Sequence, residues 1–259
     1  MPKATVNGVQ LYYEEHGQGF PVLLMEGFAG TTAMWRPQVP ALSQRYRLIL
    51  FDYRGQGQSE SPPSPEDYSL EIAIEDIHGL LRHLGVEQAV VGGLSLGGYL
   101  AIHFYRLHPE MVRALILIDT GPGYRSEERR RQWERECIER AELLEQGGMY
   151  AFAHSAFATD DYYTSHAEML KLDPRGLANV ARRVMSTAWG LEVLTQIQVP
   201  ALVMCGEHDR PFLGATEYMA SRIPNARKVI LPGACHACNI DAPEEFNRAI
   251  LDFLREIGL

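Results

Sequence analysis

The sequence predicts an α/β fold: a mostly parallel sheet with helices on both faces and an inserted helical cap. Three observations predict it. Short continuous apolar runs, from Pro21 to Met25, Arg47 to Phe51 and Val112 to Ile118, have the length and composition of strands buried on both faces. Helical stretches alternate with such runs in both halves of the chain, an order that produces parallel strands joined by crossovers. Between Tyr124 and Gln196 the strand runs cease and charged helical segments replace them. Residues 1–123 and 197–259 therefore read as one core, and 124–196 as the cap.

The elements follow in order. Val6, Val9, Leu11 and Tyr13 alternate around Asn7-Gly8, which predicts a β-hairpin. The strand from Pro21 ends in the loop Glu26-Gly27-Phe28-Ala29-Gly30. A helix is expected from Trp35 to Tyr46, then the strand from Arg47 and the turn Asp52-Tyr53-Arg54-Gly55-Gln56-Gly57-Gln58-Ser59. Ser69 to Leu84 has the one-sided apolar spacing of a helix. A buried strand over Gln88 to Val91 and a helix around Tyr99 to Tyr105 precede the strand from Val112, which closes at Asp119. The cap should hold helices over Ser126 to Gln146, Met149 to Phe157 and Gly176 to Trp189. Strands at Val199 to Cys205 and Arg227 to Leu231, with helices at Ala215 to Arg222 and Pro243 to Ile257, complete the chain.

With 259 residues, 46% of them hydrophobic, the chain can bury a core of this class. The formal net charge of −9 argues against a nucleic-acid partner, because phosphate binding needs a basic excess on one face. The dense basic run from Arg125 to Arg135 is interleaved with glutamates and reads as a solvated helix face. The opening residues lack the apolar core of a signal peptide, and no apolar run approaches the ~18 residues of a membrane span. A soluble cytoplasmic protein without a membrane partner is expected, and a homodimer is left open. The four cysteines are too few for a disulfide framework. Cys235-His236-Ala237-Cys238 has no second Cys/His pair at zinc spacing, so neither metal nor redox chemistry is expected there.

One stretch carries the chemistry. In Gly93-Leu94-Ser95-Leu96-Gly97, a serine stands between glycines at a strand-to-helix junction. A tight turn of this kind lifts the hydroxyl above the strand tip and needs neighbours without side chains. The Leu96 amide would then sit at a helix N-terminus, where developing negative charge is stabilised. An alcohol attacks a carbonyl only if an imidazole takes its proton, with a carboxylate holding that imidazole in the right tautomer. His236 follows the last strand and Asp209 follows the strand before it. Asp119, also at a strand end, is the alternative acid.

Four motifs in this order resemble the α/β-hydrolase superfamily, in the branch of small carboxylesterases, enol-lactonases and C–C bond hydrolases. They are Gly93 to Gly98, Asp52 to Ser59, Gly206-Glu207-His208-Asp209, and Gly233 to His236 with Pro243 and Phe246 behind it. The resemblance runs over residues 3 to 258 and is weakest in the cap. It implies catalytic Ser95, Asp209 and His236, an oxyanion hole of the Phe28 and Leu96 amides, and no metal or organic cofactor. The implied partner is a small or medium apolar ester or lactone. A C–C bond hydrolase of vinylogous diketones and a non-catalytic ligand receptor on the same fold remain as alternatives.

Glu26 departs from the pattern, because the family carries histidine before the glycine of that loop. An ionised carboxylate facing the hole would oppose an oxyanion, so Glu26 should be turned away, paired, or protonated through burial. Glu26, Trp133, Met149, Phe152, Phe157 and Trp189 are the candidate pocket residues.

Overall fold

The computed structural model describes residues 2–158, 163–187 and 189–259. Asn7 and Gly8, at φ 46° and 78°, take the left-handed positions that a two-residue hairpin loop needs. They join β1 (Lys3–Val6) to β2 (Val9–His16). The remaining strands are β3 (Phe20–Met25), β4 (Tyr46–Phe51), β5 (Ala89–Leu94), β6 (Val112–Ile118), β7 (Ala201–Gly206) and β8 (Ala226–Leu231). They form one eight-stranded sheet in the order β1-β2-β4-β3-β5-β6-β7-β8. Pairing is antiparallel for β1 with β2 and β2 with β4, and parallel from β4 to β8.

The helices are α1 (Val39–Leu42), α2 (Leu70–His83), α3 (Leu96–Leu107), α4 (Glu127–Ala153), α5 (His166–Met169), α6 (Pro174–Arg183), α7 (Arg210–Arg222), α8 (Cys238–Asp241) and α9 (Pro243–Glu256). Alternate residues of each buried strand serve opposite faces of the sheet. Leu23, Met25, Val91, Leu115 and Leu117 pack with Ile77, Leu80, Leu100 and Phe104 of α2 and α3. Val22, Leu24, Val90, Ala114 and Ile116 pack with Trp35, Phe246 and Ile250 on the other face. Both faces are covered, which is why these strands read as unbroken apolar runs.

Several boundaries differ from the sequence expectation for identifiable reasons. The helix expected from Trp35 to Tyr46 is a 3-10 turn (Thr32–Trp35) and the four-residue α1, because Pro37 and Pro40 cannot sit inside a longer helix. Helix α7 begins at Arg210 rather than Ala215, with Pro211 in its first turn, a position where its missing N–H costs nothing. The two segments expected on either side of residue 147 meet in α4 at Gly148, whose φ 63° and ψ −166° break the helix. Helix α6 ends at Arg183, and residue 188 of the stretch expected to reach Trp189 lies outside the described residues. All of α4 to α6 is inserted between β6 and β7. No helix of the described residues is long and apolar enough to cross a membrane.

The chain runs from β3 outward to β4 and returns to place β5 on the other side of β3. The loops after β3 and β5 therefore flank a topological switch point, the usual position of a ligand crevice in an open α/β sheet. Residues 26–30 and Ser95 occupy those two loops.

Candidate active site

Ser95 links β5 to α3 with φ 56° and ψ −112°, a strained conformation for a residue with a side chain. The neighbouring glycines are needed because the end of β3 presses against the turn. A Cβ on Gly93 would lie 2.6 Å from the Met25 carbonyl oxygen, and one on Gly97 would lie 2.3 Å from it. The Ser95 amide donates to the Ile118 carbonyl at 2.9 Å. The Thr120 hydroxyl donates to the Ser95 carbonyl at 2.6 Å, fastening the turn from the side of β6. Thr120 is a positioning residue that the sequence did not single out, since a lone threonine after a strand carries no pattern.

His236 follows β8, and its Nδ1 lies 2.7 Å from Asp209 Oδ2. Asp209 is nearly fully buried, while Ser95 and His236 are only partly covered. The Phe212 ring, one turn into α7, stacks on the imidazole with centroids 5.0 Å apart and an interplanar angle of 21°. Tyr163 of the helical insertion lies on it at 5.8 Å. Asp119 is fully buried and accepts from the Gly206 amide at 2.8 Å. Burial pushes its carboxyl up to about 7. The two aspartates and His236 thus lie together, but the Nδ1 partner is Asp209.

The loop after β3 is held from behind by the turn after β4. Tyr53 donates its amide to Glu26 Oε1 at 3.2 Å and its hydroxyl to the Glu26 carbonyl at 3.0 Å. Gln56 accepts from the Ala29 amide at 2.8 Å, and its Nε2 lies 3.5 Å from Glu26 Oε1. Asp52 accepts from the Thr32 and Gln58 amides at 2.7 and 2.8 Å. Arg54 makes a buried two-pronged pair with Asp76 at 2.6 and 2.7 Å. These residues brace the loop and do not form a reacting pair. Glu26 itself is completely buried, and its carboxyl is raised well above the usual range, first by burial and then by the Asp52 charge. Desolvation with so few donors favours the neutral form of this carboxyl.

The candidate pocket residues separate into groups. Phe152 is buried and meets Phe28 edge-on at 5.9 Å, with Met149 buried one turn earlier. Trp133 and Phe157 are partly buried and share the guanidinium of Arg140. Trp189 stands apart: it is 46% exposed and lies against Arg106 and His103. Tyr163, which the sequence did not indicate, packs so closely on Gly27 that a Cβ there would come within 2.4 Å of its ring and hydroxyl.

Two sets of ligand-type side chains cluster among the described residues. One is Asp119, Asp209 and His236, where Asp119 Oδ1 accepts from the Gly206 amide and Asp209 Oδ2 meets His236 Nδ1. The other is Glu75 and His78, in the middle of α2, with His108 just past the end of α3, where Glu75 bonds both imidazoles. No disulfide joins Cys137, Cys205, Cys235 and Cys238.

Against known proteins, a family profile described as alpha/beta hydrolase fold matches residues 21–135. A relative from Azorhizobium caulinodans, named carbamate hydrolase RutD, is 31% identical over 272 residues, spanning 99% of each chain. The enol-lactonase of Burkholderia xenovorans LB400 superposes with a TM-score of 0.87 at 29% identity, covering 98% of this chain and 100% of its own. A thermophilic esterase from Thermogutta terrifontis superposes with a TM-score of 0.88 at 30% identity, covering 100% and 99%.

Proposed function

The chain belongs to the α/β-hydrolase superfamily, and on that premise we propose that it is a serine hydrolase cleaving carboxylic esters or lactones through an acyl-enzyme. The observation that carries this reading is the 2.7 Å contact of His236 with Asp209, taken together with a serine strained into a turn that leaves it only partly covered. An imidazole oriented at Nδ1 by a buried carboxylate presents Nε2 as the base that takes a proton from an alcohol.

In this reading Ser95 Oγ adds to the acyl carbon as His236 Nε2 accepts its proton. The carbonyl oxygen becomes an oxyanion, received by the Phe28 and Leu96 amides. The bond to the leaving oxygen then breaks, and His236 returns the proton to it. Water, deprotonated by the same imidazole, cleaves the acyl-Ser95 ester and restores the serine. One amide of an oxyanion hole contributes roughly 2.7–4 kcal/mol to such a step. The bracing of the 26–30 loop by Tyr53 and Gln56 fits that demand for a fixed donor.

Residues 124–196 act as a cap over the core formed by 1–123 and 197–259. Supporting this are the contacts of Phe152 with Phe28 and of Tyr163 with Gly27 and His236. The superposed enol-lactonase and esterase and the carbamate-hydrolase relative share one requirement by name, an acyl carbon carrying a heteroatom leaving group.

The test is a turnover panel of 4-nitrophenyl acyl esters, lactones and vinylogous diketones. Hydrolysis of esters or lactones with a pre-steady-state burst is expected. Turnover confined to diketones would replace the reading with C–C bond hydrolysis, and no turnover at all would leave a ligand receptor.

A further inference from the structure

Glu75 and His78 stand three residues apart on α2, so their side chains share one face of that helix. His108 meets them from the end of α3. Its position is fixed by the backbone: its amide donates to the Phe104 carbonyl at 2.8 Å, closing the helix, and Pro109 follows it. Its ring also lies against that of Phe104, with centroids 5.2 Å apart.

Both oxygens of one carboxylate are turned to imidazole nitrogens. Glu75 Oε1 is 3.0 Å from His108 Nε2, and Oε2 is 3.3 Å from His78 Nδ1. The two imidazoles stack on each other at 4.2 Å, with 22° between their planes. One ligand atom from each of the three residues lies within 4.8 Å of the other two. Neighbouring donors of a tetrahedral zinc shell, with bonds of 2.0–2.2 Å, stand about 3.4 Å apart. Two sides of the triangle are already near that spacing.

A second observation lies behind His108. Its other nitrogen, Nδ1, is 3.9 Å from Glu110 Oε1. An imidazole that ligates a metal through one nitrogen keeps its proton on the other, where a carboxylate commonly holds it. Burial acts to raise the Glu75 carboxyl, but the hydrogen bonds from His108 and His78 hold it below its usual range, as the anion a metal requires. Stability alone does not account for the convergence. The Glu75 side chain is 49% exposed, and ion pairs so open to water contribute little.

We propose that Glu75, His78 and His108 bind one divalent transition-metal ion, zinc being the best match, and that the ion clamps α2 to the end of α3. Two imidazoles and a carboxylate suit zinc better than magnesium or calcium, which prefer oxygen alone. Each neutral ring now directs a nitrogen at the carboxylate and gives it a proton there. On binding, that proton moves to the other ring nitrogen, so the nitrogen facing Glu75 offers its lone pair and no proton is lost. Water completes the shell on the exposed side. The ion is structural. It lies at the far end of a twelve-residue helix that starts beside Ser95, about 18 Å along its axis, and takes no part in the reaction.

The experiment titrates zinc chloride into the full chain after treatment with a chelator, by calorimetry, with melting curves beside it. One tight equivalent per chain is expected. At free zinc a hundredfold above its Kd, the folding equilibrium should shift about a hundredfold towards the native state. His78→Gln and His108→Gln keep an amide that can donate to Glu75 but lose the ligating imidazole. Glu110→Gln should weaken binding about tenfold, the cost of losing an outer partner, and the two histidine variants should weaken it further. Ring resonances of His78 and His108 should move together in the NMR spectrum as zinc is added. No binding by the wild type, or equal affinity in both histidine variants, would overturn the proposal. So would movement of the His236 ring alone, which would put the ion at the other cluster. Zinc that binds without raising the melting temperature would overturn the clamp.

Discussion

His236 Nδ1 lies 2.7 Å from Asp209 Oδ2, while Asp119, buried beside them, spends Oδ1 on the Gly206 amide at 2.8 Å. Two strands thus end in carboxylates within reach of one imidazole, and only one of them orients it. The other fastens β6 to β7.

That division predicts unequal effects of removing each charge. Asp209→Asn should lower kcat on the order of ten-thousand-fold, by favouring the wrong imidazole tautomer. Asp119→Asn keeps an acceptor for the Gly206 amide and should lower kcat less than about tenfold. Steady-state kinetics on one ester compare the two, and the reverse ranking would move the orienting acid to the end of β6.

Glu26 supplies the second prediction. Its carboxyl is raised well above the usual 4.5 by burial and by Asp52, so the folded state holds a proton that the unfolded chain releases. The stability this gives is fully present below about pH 4.5 and is lost as pH rises towards the folded value. Glu26→Gln removes the titration and keeps the shape. Its melting temperature should therefore gain on the wild type as pH goes from 5 to 8, with most activity preserved. Glu26→Ala should cost ~1–3 kcal/mol by leaving the Tyr53 amide without its acceptor. A constant gap between the Gln variant and the wild type across that range would mean that the carboxyl is already ionised at pH 5. A Gln variant as inactive as Ser95→Ala would place the carboxylate in the chemistry.

The brace behind the same loop should be visible in kcat. Gln56→Ala strands the amide of Ala29, a residue already at φ 58°, and should loosen the neighbouring Phe28 amide. A loss in kcat of roughly tenfold, or ~1.4 kcal/mol of transition-state stabilisation, is expected with KM little changed. A lower melting temperature with unchanged kcat would make Gln56 a residue of stability alone.

Much of this arrangement is legible in the sequence, because each piece has a local cause. Gly93 and Gly97 mark the elbow since only a missing side chain tolerates the β3 carbonyls, and Asn7-Gly8 marks the hairpin since both residues take positive φ. The apolar runs of β3, β5 and β6 are readable because helices cover both faces. What the sequence concealed is the product of tertiary contact. Tyr163 and Phe212 reach His236 from the helical insertion and from α7, with no spacing to betray them. Trp189 has the composition of a pocket wall, yet packs outside against Arg106 and His103. The burial of Glu26 follows from Tyr53 and Gln56, about thirty residues away, and only its departure from the family pattern pointed to it.

His103 yields an acid-side prediction. It is fully buried on α3 between Tyr99 and Trp189, and burial, followed by the Arg106 charge, lowers its imidazole to about 4. The unfolded chain takes up a proton near 6.5 that the folded protein refuses, so stability is lost as pH falls from about 6.5 to about 4. His103→Leu should remove up to ~3 kcal/mol of that loss. Melting curves between pH 7 and 4.5 should show the variant gaining on the wild type as pH falls. Parallel curves would mean that His103 titrates in the folded protein as it does in the unfolded chain.

The central claim is that Ser95 is the nucleophile. The most direct measurement is intact-mass and peptide mass spectrometry after reaction with a fluorophosphonate probe, run beside ester turnover. The wild-type protein should gain one phosphonyl group, on Ser95, in step with loss of activity. Ser95→Ala should take up none, keep its fold by circular dichroism, and lose about a million-fold in kcat. Turnover that survives complete labelling, or a Ser95→Ala variant that still hydrolyses the ester at a substantial rate, would contradict the account.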